Sequence, residues 1–349
     1  MSVIRSTLLA IAVLLLISTS FAQQTRALDP LFQDTEVLQV RLVAPIKTLL
    51  AERPIDEELP GTWHYTNSAG DAVEFDIQVR ARGNFRRDKD ICLYPPIRLN
   101  FKTSQTKGTL FHKQDKVKLV THCRSTNTYE QTVYREYIAY RLLNVITEQS
   151  FHVRLLNVTY VDSESGKEMI QRPAFIIEHK DRLAKRIDKS VLDLPKIAIQ
   201  SLDPNYSSII WMYHYLIGNT DFSALRGTEV KPCCHNHVLF GNDGETTWSM
   251  PYDFDQAGIV NAPHAGPAAQ FKIRKVTQRL YRGRCIHNVN IGATVALFQA
   301  KRDDVMAVIS EIDMASKRTK NTIRDYIEQF YKTLDSQSRV ESEFIKGCI

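Results

Sequence analysis

The chain has 349 residues, of which 43% are hydrophobic and 24% charged, and its formal net charge is +6 at pH 7. This is the composition of an ordinary soluble globular protein. The positive excess is too small to argue for a polyanionic partner, so nucleic-acid binding is not indicated.

Residues 1–22 predict a secretory signal peptide. One positive side chain precedes the short apolar run LLAIAVLLLI, and small residues follow it, so we expect cleavage after Ala22. The run is too short to span a bilayer comfortably, and no later segment is apolar enough for a membrane helix. The sequence therefore predicts a secreted or periplasmic protein whose mature chain has no transmembrane segment.

The chain contains six cysteines, an even number that favours disulfide bonds in an exported protein. They are Cys92, Cys123, Cys233, Cys234, Cys285 and Cys348. Their spacing does not decide between the possible pairings. Because Cys233 and Cys234 are adjacent, we expect each of them to bond a different partner.

Residues 23–180 are predicted to form a strand-rich lobe with one inserted helix. Alternating apolar and polar residues, typical of half-buried strands, identify the predicted strands. These cover residues 35–45, 72–83, 95–101, 116–123, 152–162 and 172–180. The helix is predicted over residues 129–146, capped by Ser125 or Thr126, with an apolar side wide enough to pack on a sheet.

Residues 181–349 are predicted to form a second, mainly helical lobe that carries one hairpin. An apolar helix over residues 207–218 ends at Gly218, a helix-stopping residue, and further helices are expected after Thr294. The predicted fold class is therefore α+β with two lobes, and a cleft between lobes is a common place for a ligand.

The hairpin has the sequence HNHVLFGNDGETTWSMPYDFDQAG, residues 235–258. Asn236 and Asp253 are equidistant from a turn at Gly244–Glu245, so a symmetric register predicts that they face each other at its open end. An amide oxygen beside a carboxylate is a usual ligand pair for a hard cation such as Mg²⁺. A solvated hairpin with ordinary turn residues is the alternative interpretation.

Asp221 follows the apolar helix directly, at a point where the chain leaves a buried element. Such positions are often used for chemistry, although an aspartate there can simply bond local backbone amides. The order Asp221, Asn236, Asp253 is that of a protein-kinase site, in which an aspartate accepts the hydroxyl proton and an asparagine and a later aspartate hold metal. The usual HRD, DFG and glycine-rich motifs are absent from the sequence.

Four segments together resemble the CotH family of spore-coat and secreted atypical protein kinases. VRARGNFRR (79–87) resembles the family's R-x-R-G-N-S strand end, and PPIRLNF (95–101) resembles its Y-R-I-K-F strand. KVKLV with the later VYREYIAYRLL resembles a W-V-L-L strand and its R-N-x-L-A-Y helix, and PYDFD resembles W-D-[LF]-D. The resemblance implies a two-lobed kinase-like fold that transfers phosphate from ATP, with Mg²⁺ or Mn²⁺, to Ser/Thr hydroxyls of a protein substrate.

The resemblance also implies roles for individual residues. Asp221 matches the catalytic aspartate, and Asn236 and Asp253 match the metal ligands, with Asp255 in support. The expected nucleotide-binding residues are Arg80, Arg82, Arg98, Lys118, Glu136 and Glu178. Of these, the three arginines would cover phosphates, Lys118 would pair with Glu136 at the α- and β-phosphates, and Glu178 would lie near adenine. Lys116 and Glu130 are substitutes for the Lys118–Glu136 pair.

Two departures from the family pattern leave alternatives open. The segment FSALRGTEVKPCCH separates Asp221 from Asn236, where the family has only a few residues, and Phe85 replaces the serine after R-G-N. Either a loop is inserted there, pinned by Cys233 or Cys234, or Asp221 is the wrong residue. A non-catalytic kinase-shaped scaffold of the cell envelope and a metal-dependent phosphoesterase are the competing functions. The CCHNH cluster also has the atom types of a zinc site, in unusual spacing.

Overall fold

The computed structural model describes residues 27–227 and 233–349. The predicted signal peptide lies outside the described residues. Within these two ranges, no helix has both the length and the apolar character that crossing a bilayer requires.

The structure is α+β, as the sequence predicts. The strands are β1 (Leu38–Ala44), β2 (Leu59–Thr66), β3 (Ala72–Ala81), β4 (Ile97–Phe101), β5 (Lys116–Val120), β6 (Val153–Asp162), β7 (Lys167–Ile177), β8 (Ser190–Leu192), β9 (His237–Gly241) and β10 (Trp248–Pro251). The α-helices of the described ranges are α1 (Ile46–Glu52), α2 (Thr103–Thr106), α3 (Asn127–Ile146), α4 (Lys180–Arg186), α5 (Pro204–Ile217), α6 (Ile291–Ala300), α7 (Arg302–Ala307), α8 (Lys317–Leu334) and α9 (Gln337–Val340). The predicted strands of the first part are confirmed, although β7 begins earlier than expected and β2 was not predicted. The expectation of a single helix in this part is wrong, because the short helices α1 and α2 precede α3.

Strands β1 to β7 form a closed barrel in the order β1-β2-β3-β4-β5-β7-β6. The barrel closes because β1 pairs in parallel with β6, while the other neighbours are antiparallel. Alternate side chains fill the interior, where the Trp63 ring meets Phe101 and Phe111 edge-on, with centroids 5.9 Å apart in each pair. This interior is one of the two hydrophobic cores that the described residues form.

The second core lies outside the barrel, between α3 and the elements that follow β7. Tyr140 of α3 packs edge-on against Phe175 of β7, with ring centroids 5.6 Å apart, and also contacts Phe254 after the hairpin, at 4.6 Å. The predicted packing of this helix on a sheet is therefore confirmed. Helix α3 joins the barrel wall to the hairpin region that carries the predicted metal ligands.

Helix α5 has clear signals at both ends. The Asp203 side chain accepts a hydrogen bond from the Tyr206 N–H at 2.7 Å, and Pro204 occupies the first turn. Gly218 ends the helix in the left-handed region, at φ 64°. The predicted end at Gly218 is confirmed, and it fixes where the chain leaves the core just before Asp221.

Three disulfides join the six cysteines. They link Cys92 to Cys123, Cys285 to Cys348, and Cys233 to Cys234. The expectation that the two adjacent cysteines bond different partners is wrong, because the other four cysteines pair among themselves.

Candidate functional site

A cavity of about 480 Å³ lies between one end of the barrel and the β9–β10 hairpin. One side is formed by the loop between β3 and β4, residues 82–96, which we call the roof loop. The side chains that line the cavity include Arg82, Phe85, Arg86, Asp221, His235, Asn236, Tyr252, Asp253 and Asp255. The cavity thus gathers five of the predicted site residues from segments far apart in the chain.

Asp221 and Asn236 are in direct contact. The Asn236 Nδ2 donates to the Asp221 carbonyl oxygen at 2.8 Å and to its carboxylate Oδ2 at 3.0 Å. His235 Nε2 lies 2.8 Å from the other carboxylate oxygen, Oδ1, and the Asp221 N–H donates to Asn219 Oδ1 at 2.9 Å. Both oxygens of the Asp221 carboxylate are therefore held in place.

The long segment between Asp221 and Asn236 has its two ends side by side. The Ser223 N–H donates to the His235 carbonyl at 2.9 Å, which closes the base of the excursion. This closed base fits the interpretation of an inserted loop between Asp221 and Asn236. The Cys233–Cys234 disulfide lies within the returning end of the loop.

The hairpin register differs by one residue from the prediction. Trp248 pairs with Phe240 and Pro251 with His237, so the hairpin is centred on Gly244. Asn236 consequently faces Tyr252, whose N–H donates to its carbonyl at 3.0 Å. The predicted facing of Asn236 and Asp253 is wrong, because the symmetric count placed the turn centre half a residue too late.

Asp253 nevertheless lines the same cavity as Asn236. Its N–H donates to the Tyr140 hydroxyl at 2.8 Å, which fixes the start of the loop on α3. Asn236 and Asp253 both have left-handed backbone conformations, with φ of 55° and 63°. Such conformations are uncommon outside glycine, and they cluster where the surrounding structure holds a functional residue in place.

The acids of the cavity affect one another strongly. Burial raises the pKa of Asp253, and repulsion from Asp255 adds to the rise, while Arg82 opposes it. Burial also acts to raise the pKa of Asp255, but the hydrogen bond with His264 Nε2, 3.2 Å away, and the charge of Arg86 outweigh it, so this pKa lies below its ordinary value. A bound cation would relieve the crowding of negative charge at this pair.

A row of cations crosses the outer face of the barrel above these acids. Arg80, Arg98 and Lys118 are directly opposite one another on β3, β4 and β5. Arg80 forms an ion pair with Glu58, with its Nε 3.8 Å from the Glu58 Oε1. Arg98 and Lys118 instead line a second cavity, of about 280 Å³, together with Glu178 and Tyr252. Since Tyr252 borders both cavities, the two are neighbours.

Lys118 is a lysine with an unusual environment. Its Nζ lies over the Tyr252 ring, 4.3 Å from the centroid. Burial, with repulsion from Arg82, lowers its pKa from 10.5 to about 7. Lys118 therefore changes charge near neutral pH.

The predicted ion pairs of the nucleotide site are wrong. Glu136 lies 3.7 Å from Arg86 rather than pairing with Lys118, and the substitute Glu130 pairs with Arg172 at 2.9 Å. The Glu178 carboxylate is held by Arg186, with Nη2 3.0 Å from Oε2, and accepts from the His152 N–H. The family resemblance implied Lys118 for this position, but Arg86, a residue of the roof loop, lies beside Glu136.

Sequence analysis did not predict three side chains that contact the predicted site residues. His235, Arg86 and His264 contact Asp221, Glu136 and Asp255 respectively. The only available signal was that His235 adjoins Asn236 and that Arg86 belongs to the R-G-N segment. His264 carries no motif, and its contact with Asp255 depends on how the loop after the hairpin folds.

The cavity offers oxygen donors of the kind that Mg²⁺ and Mn²⁺ prefer, from Asp221, Asn236, Asp253 and Asp255. Within the described ranges, the carboxylate oxygens of Asp221, Asp253 and Asp255 do not all lie within 4.8 Å of one another, so these acids form no closed cage. Mg²⁺ is usually held by one or two carboxylates plus substrate phosphates and water. Asn236 donates through its amide nitrogen to Asp221, and these hydrogen bonds do not use its amide oxygen. The zinc interpretation does not fit, because Cys233 and Cys234 are bonded to each other.

The fold and the cavity define an α+β protein with a site of acids opposite arginines and a lysine. Neither a protein-family model nor a curated protein sequence matches the chain. The resemblance to CotH-type kinases therefore stays a hypothesis carried by the residues themselves.

Proposed function

We propose that the protein is an exported atypical kinase, similar to the CotH family, that transfers phosphate from ATP to Ser/Thr hydroxyls of a protein. The proposal includes a two-lobed kinase-like arrangement, divided near residue 180, with the two cavities between the lobes. One observation carries the proposal: the Asn236 amide nitrogen donates a hydrogen bond to the Asp221 carboxylate at 3.0 Å, in a cavity also lined by Asp253. A kinase site requires this combination of a proton acceptor, an amide ligand and an acidic ligand.

The proposed roles follow from charge and hydrogen bonding. Asp221 accepts the proton of the attacking hydroxyl as the new oxygen–phosphorus bond forms and the bond to the β-phosphate oxygen breaks. Asn236 and Asp253 hold the divalent ion, which neutralises phosphate charge when bound. Arg82 and Lys118 oppose the remaining negative charge, and the second cavity accepts the nucleoside. Alignment and charge neutralisation are the main demands of phosphoryl transfer.

The test uses Asp253→Ala and Asp221→Asn with a matched control, Asp243→Asn, in the exposed hairpin turn. Radiolabelled ATP, Mg²⁺ or Mn²⁺ and a generic protein substrate measure transfer, and a fluorescent ATP analogue measures binding. We expect Asp253→Ala to abolish metal-dependent nucleotide binding. Asp221→Asn should keep binding but lower transfer by about a hundredfold or more, as for loss of a general base. The control should match the wild type, and unchanged nucleotide affinity in Asp253→Ala would overturn the proposal.

A metal-dependent phosphoesterase is the second candidate, and one contact is compatible with it. His235 lies 2.8 Å from Asp221, and an imidazole–carboxylate pair can take a proton from water as well as from an alcohol. The product distinguishes the two functions: free phosphate without labelled protein indicates the esterase. The scaffold alternative predicts neither product, and label that disappears in Asp221→Asn would exclude it.

A further inference from the structure

Arg86 is a buried cation of the roof loop to which the sequence assigned no role. Its side chain is 10% exposed, and its Nη1 lies 3.7 Å from Oε2 of Glu136 on α3. Its Nη2 donates to the Thr121 carbonyl just after β5. Arg86 also lines the main cavity beside Asp253 and Asp255.

Both members of the Arg86–Glu136 pair have an unused polar atom. Among the described residues, the Arg86 Nε and the Glu136 Oε1 are buried and have no hydrogen-bond partner. Buried polar groups without a partner are rare in folded proteins, and each one calls for a specific explanation. The Arg86 Nε is a donor at the edge of a cavity, and an acceptor oxygen of a ligand can satisfy it. The Glu136 Oε1 is an acceptor, which requires a donor or a cation instead.

The roof loop is fixed before any ligand arrives. The Cys92–Cys123 disulfide ties it to the end of β5, and the Tyr94 N–H donates to the Cys123 carbonyl at 3.1 Å. Arg53 adds hydrogen bonds to the carbonyls of Arg87 and Cys92. A cation held on such a loop loses little freedom on binding, which favours affinity.

We infer that Arg86, held by Glu136, binds phosphate in the main cavity and takes the place beside Glu136 that the sequence assigned to Lys118. The guanidinium suits this position, because its fork of N–H donors can contact a carboxylate and a phosphate at the same time. Lys118 lies over Tyr252 in the second cavity instead. The inference rests on the proposed function, since it assumes a polyphosphate ligand.

The test measures binding of inorganic triphosphate with Mg²⁺ by calorimetry. We expect Arg86→Gln to weaken the affinity by roughly tenfold or more, the usual effect of losing a hydrogen bond to a charged group. Arg86→Lys keeps the charge without the fork and should recover part of the loss. Arg87→Gln is the matched control, because the Arg87 Nε donates to the Gly83 carbonyl within the same loop, and its affinity should be unchanged.

The outcomes separate this inference from the proposed function. If the wild type binds and Asp253→Ala does not, an Arg86→Gln affinity equal to that of Arg87→Gln overturns the inference alone. A wild type that does not bind Mg²⁺–triphosphate overturns both. If thermal melting shows that Arg86→Gln does not fold, Arg86→Lys decides by itself, since it retains a cation beside Glu136 but lacks Nε. An affinity equal to wild type in that variant contradicts the inference.

Discussion

At the scale of single residues, Lys118 gives the site a pH dependence whose direction can be worked out. Its pKa lies at about 7, so the side chain is mostly charged below that pH and mostly neutral above it. A bound polyphosphate favours the charged form, and binding above pH 7 therefore takes up a proton. The lowered pKa also means that the folded protein binds fewer protons than the unfolded chain between pH 7 and 10.5, so this group makes the free energy of unfolding rise with pH in that window.

The corresponding prediction compares wild type with Lys118→Met. We expect the affinity for Mg²⁺–triphosphate to fall as pH rises from 7 to 9, by up to about tenfold per pH unit. The reason is that binding takes up one proton, and this uptake becomes less favourable as the pH rises above the pKa of Lys118. Lys118→Met should bind more weakly at pH 6 and show a flatter profile, since ionisation of the triphosphate is common to both proteins. Calorimetry in two buffers of different ionisation enthalpy measures the proton uptake directly. Equal slopes in the two proteins would contradict the assignment.

At the scale of elements, α5 and the turn that ends it position Asp221. Gly218 has φ 64°, and a Cβ at this position would overlap the Tyr326 hydroxyl of α8. The Gly258 N–H donates to the Gly218 carbonyl at 3.0 Å, which links the turn to the loop that follows the aspartates. The turn thus depends on a left-handed conformation and on close packing at once.

Gly218→Ala is expected to destabilise the protein by more than the usual cost of a left-handed alanine, which is about 1 kcal/mol. Gly166→Ala is the matched control, because Gly166 has φ 69° and open space around its Cβ direction. The difference between the two free energies of unfolding in denaturant isolates the steric part. Combining Gly218→Ala with Tyr326→Phe should recover much of this difference, and no recovery would show that the overlap is relieved elsewhere.

The elements were largely predictable because they are encoded locally. The alternation in residues 72–83 and the cap and stop signals around residues 203–218 depend only on neighbouring residues. The register of the β9–β10 hairpin was missed by one position, since the turn centre depends on hydrogen bonds around Gly244 that the letters do not specify. That single step placed Asn236 opposite Tyr252 rather than Asp253.

At the scale of the whole molecule, the remaining features come from contacts between distant segments. The parallel pairing of β1 with β6 closes the barrel, and no local sequence pattern predicts this pairing. The Arg86–Glu136 contact and the return of the chain from Asp221 to Asn236 are of the same kind. Through the order of its motifs, the sequence could therefore name the three aspartates, the asparagine and one of the arginines that line the cavity. It could not name their partners, because partner choice is decided by how the barrel and the later helices pack.

The disulfides allow global stability and the site to be separated by experiment. Cys92–Cys123 spans 31 residues and anchors the roof loop, whereas Cys285–Cys348 spans 63 residues near the C-terminal end. Loop entropy predicts that removing either one, by a double Cys→Ser change, lowers the free energy of unfolding by about 4 kcal/mol. We expect only the loss of Cys92–Cys123 to weaken Mg²⁺–triphosphate binding as well, because of these two disulfides only that one bridges the loop carrying Arg86.

Denaturant unfolding and calorimetry below the melting temperature measure the two effects on the same samples. The Cys285→Ser/Cys348→Ser protein is the matched control for lost stability, since its expected destabilisation is similar. Equal triphosphate affinity in the two double variants would mean that the roof loop keeps its conformation without its bridge. The hydrogen bonds from Arg53 to the Arg87 and Cys92 carbonyls would then be the anchor. Arg53→Gln, added to the Cys92→Ser/Cys123→Ser background, should in that case produce the loss of affinity that the disulfide alone did not.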